Sequence, residues 1–295
     1  MSLSDALPRH FNAARHCLAE NARLRAGKTA LVLAGPSGHA RRMTFGAVER
    51  AVLGIAAGLR GLGLEPGARV MIRMGNEADY VLVYFAALAA GLVALPSSPQ
   101  LTPAEAAFLA QDSGAAAIVL GEGLALDRES AAGRIVLGSR DIAAMRAGDP
   151  LAGYGDTAAD DPAILVYTSG TTSRPKGVLH AHRAILGRRP MHAHWLGLTE
   201  ADVMLHAGTM NWTYTLGVGI TDPWACGATA VVYEGPRDPG VWPALIAAHG
   251  ATVFAAVPSL YRQILKYADL GAHDLSRLRH GLTAGEALGP DLLAA

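Results

Sequence analysis

The sequence has few cysteines, no net charge and no cluster of basic residues. Its two cysteines, Cys17 and Cys226, lie far apart, so they form neither a metal-binding spacing nor a disulfide framework. On this ground we expect a reducing, cytoplasmic setting. The charges of the 25 basic and 25 acidic side chains cancel, and no basic block is interleaved with aromatic residues. Both features argue against nucleic acid as a partner.

Long apolar runs are also missing. Pro8, Arg9 and His10 interrupt the N-terminal stretch, so it lacks the apolar core of a signal peptide. The longest apolar-looking stretch, residues 80–96, contains Gly91 and fits a buried helix followed by a strand. No uninterrupted run reaches the length that crosses a bilayer, and we therefore expect no membrane span.

The composition is nevertheless strongly apolar. Hydrophobic residues make up 51% of the 295 residues and charged residues 17%, which predicts a large buried core and argues against disorder. A chain of this length is expected to form about two domains or subdomains. We place a boundary near residue 160, with an N-terminal α/β subdomain in 1–160 and a second α/β subdomain in 161–295.

Strand and helix patterns alternate in both parts of the sequence. In the first part, a strand at 69–72 precedes an apolar helix that ends at Gly91. In the second part, a strand at 203–206 precedes a helix from about 214 to 225, and another strand follows at 253–256. This alternation predicts an α/β fold of layered, mostly parallel sheets flanked by helices.

A hydroxyl-rich segment at residues 167–178, with the sequence YTSGTTSRPKGV, lies between two predicted strands. Hydroxyl groups and free backbone N–H groups bind phosphate oxygens, and glycine lets the backbone approach them closely. Lys176 adds a mobile positive charge that suits a polyphosphate. The segment is therefore predicted to be a phosphate-binding loop, with contacts from Thr168, Ser169, Gly170, Thr171, Thr172 and Lys176.

Two other interpretations of this segment need weighing. A Walker loop requires Gly-Lys followed by Ser or Thr and then a helix, whereas here Lys176 precedes Gly177 and a strand follows. The second alternative is a hydroxyl-rich surface hairpin without a ligand, because loops of Ser, Thr, Gly and Pro are common. Composition alone leaves that alternative open.

The order of residues in the segment resembles the signature loop of the adenylate-forming superfamily. That superfamily includes acyl-CoA synthetases, luciferases and the adenylation domains of peptide synthetases. The resemblance to acyl-CoA synthetases extends from about residue 28 to the last residue. Ser173 departs from the pattern, since the family usually has glycine there. A positive φ at that position would strain a serine and reshape the loop, which puts its ATP affinity in question.

The resemblance implies an ATP-dependent carboxylate–CoA ligase. In the family's reaction a carboxylate attacks the α-phosphate of ATP, and CoA then displaces AMP from the acyl-adenylate. ATP, Mg²⁺ and CoA would be needed, and Lys176 would be the catalytic residue that holds the β- and γ-phosphates. Two alternatives are an adenylation enzyme that loads a carrier-protein thiol and a non-catalytic nucleotide-binding module.

Two further segments follow the family pattern. The stretch after the predicted strand at 203–206 resembles the acyl-pocket region, so Trp212 and Gly217 are predicted to line the substrate pocket. The alternative for Trp212 is a core aromatic residue. Near the end, a strand leads into a Gly-containing turn, a place that nucleotides favour. This turn resembles the family's adenine-contacting segment, and the predicted contacts are Gly285, Glu286 and Ala287.

Four histidines crowd the region after the loop, namely His180, His182, His192 and His194. Histidines two apart on a strand can chelate a metal ion. No cysteine or acidic partner has ligand spacing, and the family pattern has a structural histidine where this sequence has His182. We therefore predict no metal site.

The sequence ends soon after the predicted adenine-contacting segment. Family members continue with a Tyr-Gly-x-Thr-Glu loop, an aspartate that holds the ribose, a hinge and a mobile C-terminal domain with a catalytic lysine. None of these is found in the sequence, so we expect the N-terminal portion of a ligase that is inactive alone. The expected partners are a small-molecule carboxylate, ATP and CoA, and a homo-oligomer is one option.

Overall fold

The computed structural model describes residues 7–36, 38–168 and 175–294. The chain divides into two compact units, Met1–Ala26 with Gly46–Arg189 and Gly27–Phe45 with Pro190–Ala295. Each unit contains one six-stranded sheet. Residues 161–189 thus belong to the first of these units. The domain boundary near residue 160 stays a prediction.

The strands are numbered in chain order. Those of the first unit are β3 (Arg69–Arg73), β4 (Val93–Ser97), β5 (Ala117–Leu120), β6 (Ile135–Leu137), β7 (Pro162–Thr168) and β8 (Lys176–Ala181). Those of the second unit are β1 (Thr29–Ala34), β2 (Ala40–Thr44), β9 (Val203–His206), β10 (Thr229–Tyr233), β11 (Val253–Ala256) and β12 (His280–Thr283).

The α-helices are also numbered in chain order. Their bounds are α1 (Ala13–Leu24), α2 (Phe45–Gly61), α3 (Ala78–Ala89), α4 (Pro103–Asp112), α5 (Arg128–Ala131), α6 (Ser139–Ala147), α7 (Arg189–His194), α8 (Asp222–Ala225), α9 (Val241–His249), α10 (Pro258–Tyr267) and α11 (Pro290–Ala294). Short 3₁₀-helices lie at His182–Arg188 and Leu270–Ala272, and a π-helix lies at Thr215–Thr221.

The sheet of the first unit has the order β6-β5-β3-β4-β7-β8. All neighbours are parallel except β7 and β8, which form an antiparallel pair at the edge. The central strands β4 and β5 are buried along their whole length, as parallel strands covered by helices on both faces should be. The predicted α/β fold with mostly parallel sheets is confirmed.

The sheet of the second unit has the order β12-β11-β9-β10-β1-β2. Strand β2 is antiparallel to β1, and every other neighbouring pair is parallel. The carboxyl ends of β9, β11 and β12 therefore lie at one edge of the sheet. In open α/β sheets this edge is the usual place for ligands.

Helix α4 shows how local chemistry sets an element's start. The Thr102 hydroxyl accepts the N–H of Glu105 at 3.3 Å, and the Glu105 carboxylate accepts the N–H of Thr102 at 2.8 Å. This reciprocal pair satisfies two N–H groups that the helix itself cannot use. Pro103 occupies the first helical position, where its missing N–H costs nothing.

Three aromatic residues pack together among the aliphatic side chains in the core of the second unit. The ring of Trp242 lies between Tyr233 and Phe254, with centroid distances of 5.5 and 5.9 Å. Trp224 is fully buried, and its indole N–H donates to the carbonyl of Ala30 at 2.9 Å. Trp224 is thus a core residue.

Helix α3 is apolar nearly all round, and eleven of its twelve residues are buried. It is the buried helix that the apolar stretch at 80–96 predicts. Within the described residues, no helix combines the length and the apolarity that crossing a membrane requires.

The helix predicted from about 214 to 225 takes an unexpected form. Its first part is the π-helix, in which the N–H of Asp222 donates to the carbonyl of Gly217, five residues back. The last turn is the α-helix α8. Turns of the π-helical type are frequent at functional sites.

Candidate functional site

Strands β7 and β8 form the base of the predicted phosphate loop. They pair antiparallel, and Thr168 lies opposite Lys176 at the end of the ladder. Both of these residues are exposed. Ser169, Gly170, Thr171 and Thr172 lie outside the described residues, so the structure places only the two ends of the loop.

Side chains next to the loop hold its base in place. The Tyr167 hydroxyl donates to Asp112 Oδ2 at 2.5 Å, and its ring packs edge-on against Phe108. Burial and this hydrogen bond raise the pKa of Tyr167. A Cβ at Gly177 would lie 3.1 Å from Leu165 Cδ1, at the end of a flexible side chain. The residue next to Thr168 is thus held by a hydrogen bond and an aromatic contact.

A cavity of about 250 Å³ opens at the carboxyl ends of β9 and β11 in the second unit. We call it the β9–β11 cavity. Apolar and polar groups share its lining, which consists of His206, Ala207, Gly208, Thr209, Trp212, Tyr214, Thr215, Arg237, Ala256, Val257, Ser259, Leu260 and Gln263. Binding sites for small molecules typically combine apolar walls with a few placed polar groups.

The two predicted acyl-pocket residues have different positions. Trp212 lines the β9–β11 cavity and is 54% exposed, so it is not a core aromatic. Gly217 lies within the π-helix and is not part of the cavity lining. It contributes through its carbonyl, which accepts the N–H of Asp222 and so helps to define the π-turn.

The predicted adenine-contacting segment follows β12 at the same edge of the sheet. Gly285 has a φ of +95°, a conformation that favours glycine. A Cβ at Gly285 would lie 3.8 Å from Val257 Cγ1, and Val257 lines the β9–β11 cavity. Glu286 and Ala287 are exposed, and the Glu286 carboxylate forms an ion pair of 3.0 Å with Arg262. The structure thus brings the predicted nucleotide segment next to the predicted acyl cavity.

Comparison with known proteins identifies the family to which this chain belongs. The sequence profile of the AMP-binding enzymes matches residues 18–295. The chain belongs to the AMP-binding enzyme family.

Among its relatives, the 3-hydroxybenzoate–CoA ligase of Aromatoleum sp. (strain CIB) is 30% identical over 264 residues, which cover 85% of this chain and 50% of that protein. The benzoate–CoA ligase of Thauera aromatica is 29% identical, with 97% and 56% covered. The crystal structure of the anthranilate CoA ligase AuaEII with anthranoyl-AMP superposes with a TM-score of 0.90 at 28% identity, covering 99% of this chain and 57% of that one. The chain thus spans about half the length of the relatives it matches.

The β9–β11 cavity is also lined by residues that sequence reasoning missed. His206 was expected only to end a strand, and Tyr214 and Thr215 only to begin a helix. Arg237 drew no attention. The available signal was the position of His206 at the carboxyl end of a parallel strand, where ligands of α/β sheets gather.

Two of the four clustered histidines have structural partners. His182 is buried, and its Nδ1 accepts the N–H of Ala13 at 3.1 Å. Burial lowers the pKa of His182 to about 4, despite the opposing charge of Asp161. His192 Nε2 lies 2.9 Å from Asp222 Oδ1. Burial disfavours the charge on His192, but hydrogen bonds with Asp222 and Cys226 outweigh it and raise its pKa to about 9.

Proposed function

We propose that the intact protein containing this chain is an AMP-forming carboxylate–CoA ligase. The observation that carries the proposal is the proximity of two predicted sites at one sheet edge. A Cβ placed on Gly285 of the adenine-contacting segment would lie 3.8 Å from Val257 Cγ1, and Val257 lines the β9–β11 cavity. An acyl-adenylate needs such an arrangement, because its acyl and nucleotide parts are joined through one phosphate.

The reaction has two steps. A carboxylate oxygen attacks the α-phosphate of ATP, the bond to the β-phosphate breaks, and acyl-AMP and pyrophosphate form. The thiolate of CoA then attacks the acyl carbon, and AMP leaves with the electrons of the acyl–oxygen bond. Adenylation is needed because a free carboxylate is a poor acyl donor.

In the first step the phosphate loop would act by positioning and charge. Lys176 and the hydroxyl groups of Thr168, Ser169, Thr171 and Thr172 would hold the β- and γ-phosphates. Magnesium would screen the charge of the polyphosphate. Among the described residues no group of three or more acidic, histidine or cysteine side chains could hold a metal ion.

We propose an aromatic carboxylate as the substrate class. Three of the proteins compared above are named for benzoate, hydroxybenzoate or anthranilate. The volume of about 250 Å³ lies just below the range of about 300–1,000 Å³ that is typical of pockets for drug-sized ligands. A single substituted ring suits this space better than a long fatty acid does.

The test is exchange of radioactive pyrophosphate into ATP by the intact protein, with a panel of aromatic and aliphatic acids. We expect exchange that depends on an aromatic acid, and CoA should then release AMP and yield the thioester. Exchange without thioester formation would favour a carrier-protein thiol as acceptor. Absence of exchange with every acid would contradict the proposal and favour a nucleotide-binding module. A cytoplasmic location and self-association remain expectations for the same protein.

A further inference from the structure

Asp222 joins the π-helix to α8, and its N–H, carbonyl and carboxylate all take part in that junction. Its N–H donates to the carbonyl of Gly217, five residues back, which is the spacing of a π-turn. Its carbonyl accepts the N–H of Cys226 at 3.2 Å. Its buried carboxylate accepts from the imidazole N–H of His192 at 2.9 Å. One residue thus closes the π-helix and ties its end to α7.

His192 and Asp222 form a buried ion pair, since their side chains are 10% and 0% exposed. The raised pKa of His192 keeps the imidazole charged at neutral pH, and the Cys226 side chain provides a further hydrogen bond. Removal of one partner from such a pair leaves a buried group without its counter-charge, which is strongly unfavourable. The contact between the two side chains is therefore a strong local constraint on the end of the π-helix.

The proline after Asp222 explains why the helix needs support at this point. Pro223 has no backbone N–H to donate to the preceding turn. In a regular α-helix its ring would also clash with the carbonyl of Gly219, four residues back. Irregular turns of helices occur at prolines and at π-turns, and here the two coincide. The main-chain hydrogen bonding is thus interrupted beside Asp222, where the side chain of His192 supplies a contact from outside the helix.

The other end of the π-helix contributes to the β9–β11 cavity. Tyr214 and Thr215 line the cavity, and Thr215 is the first residue of the π-helix. The middle of the helix packs tightly on β9, because a Cβ at Gly219 would lie 2.9 Å from the Cβ of His206, which also lines the cavity. No loop separates Asp222 from these residues. A rotation of the helix at Asp222 would therefore displace Thr215 relative to His206.

Resting on the proposed function, we propose that the His192–Asp222 pair is a positioning element for the acid substrate. The pair holds the π-helix in the register that places Tyr214 and Thr215 in the cavity wall. Among the described residues that line the cavity, neither His192 nor Asp222 occurs, so both act through the helix. The predicted nucleotide segment at 285–287 follows β12, a different element, and ATP binding should not depend on the pair.

The experiment measures pyrophosphate exchange by the intact protein, with the KM for the acid and the KM for ATP determined separately. Benzoate, 3-hydroxybenzoate and anthranilate are the probe acids, and the one that the unaltered protein uses fastest serves for the variants. His192→Ala should raise the KM for that acid about 10- to 100-fold and change the KM for ATP less than about twofold, because a displaced wall misplaces the acid alone. His192→Gln keeps an N–H donor for Asp222 and should return the KM for the acid to within about threefold of the unaltered value.

A matched control separates positioning from a general loss of stability. Arg279 Nε donates to Asp202 Oδ1 at 2.9 Å, and this partly buried ion pair also belongs to the second unit. Asp202 precedes β9 and Arg279 precedes β12, so the pair lies at the amino ends of the strands, whereas the cavity lies at their carboxyl ends. Arg279→Ala should lower the melting temperature, as His192→Ala does, and leave the KM for the acid unchanged.

The contrary outcomes are distinct from one another. An unchanged KM for the acid in a folded His192→Ala protein would overturn the inference. Equal rises in that KM for His192→Ala and Arg279→Ala would also overturn it, because the effect would then reflect stability alone. If His192→Ala does not fold, Asp222→Asn, which keeps the side-chain volume and removes the charge, must raise the KM for the acid, and an unchanged value overturns the inference. Absence of exchange with every acid in the unaltered protein would overturn the proposed function itself.

Discussion

At the scale of single residues, the predicted role of Lys176 in phosphate binding can be tested by one substitution. It stands at the first position of β8, opposite Thr168, with its side chain open to solvent. A charge-assisted hydrogen bond to phosphate is worth about 1.5–3 kcal/mol. We therefore expect Lys176→Ala in the intact protein to raise the KM for ATP, or lower kcat/KM, by about 10- to 150-fold with little change in melting temperature.

The control for this prediction is Lys266→Ala. Lys266 is another exposed lysine, and its ammonium lies 5.0 Å from the centre of the Tyr267 ring. Its loss should leave ATP kinetics unchanged. If the Lys176 and Lys266 variants share the same ATP kinetics as the unaltered protein, Lys176 does not belong to the phosphate site.

Residue-level prediction worked where a side chain's role depends on its immediate neighbours in sequence. The two strands that flank the segment at 167–178 follow from local patterns, and both are present as β7 and β8. The position of His206 in the β9–β11 cavity was missed because its packing also depends on Gly219, which lies thirteen residues further along the chain and approaches it only in the folded structure. No sequence spacing predicts that approach.

At the scale of elements, the pair of His192 on α7 and Asp222 on α8 predicts a pH dependence of stability. The folded-state pKa of His192 is raised from 6.5 to about 9. A group with a raised pKa stabilises the fold fully below its unfolded value and loses that effect as the pH rises through its folded value. The free energy of unfolding should therefore fall between pH 6.5 and 9 because of this pair.

Denaturant unfolding at a series of pH values between 6 and 9.5 measures this effect. Asp222→Asn removes the charge that favours the protonated histidine, so its unfolding free energy should show a shallower fall across that range. The variant should also be less stable at pH 6.5, since breaking a buried pair costs about 3–5 kcal/mol. Parallel pH profiles for the two proteins would show that His192 is not held in its charged form.

Element positions were more predictable than element types. The sequence places a helix at 214–225, but apolar spacing over so few residues does not distinguish i→i+4 from i→i+5 hydrogen bonding. The structure has the π-helix from Thr215 to Thr221, and this turn positions Thr215 against Gly208. The geometry of the cavity therefore depends on a feature that the sequence pattern cannot resolve.

At the scale of the whole molecule, the alternation of strands and helices was enough to predict the fold class. It could not predict that β2 and β8 run antiparallel at the sheet edges, because strand direction depends on pairing partners distant in sequence. Nor could it show that residues 27–45 join the unit formed by 190–295. Membership in the AMP-binding enzyme family rests on a match over residues 18–295.

In the proposed function, the carboxyl ends of β9, β11 and β12 together bind an acyl-adenylate. Hydrogen–deuterium exchange of this chain, with and without a non-reactive benzoyl-sulfamoyl adenosine, tests it without requiring turnover. The account predicts slower exchange in residues 206–215, 257–263 and 283–287, with α9 of the same unit unchanged as the internal reference. Unchanged exchange in all three segments at saturating analogue, or slowing confined to other parts of the second unit, would contradict it.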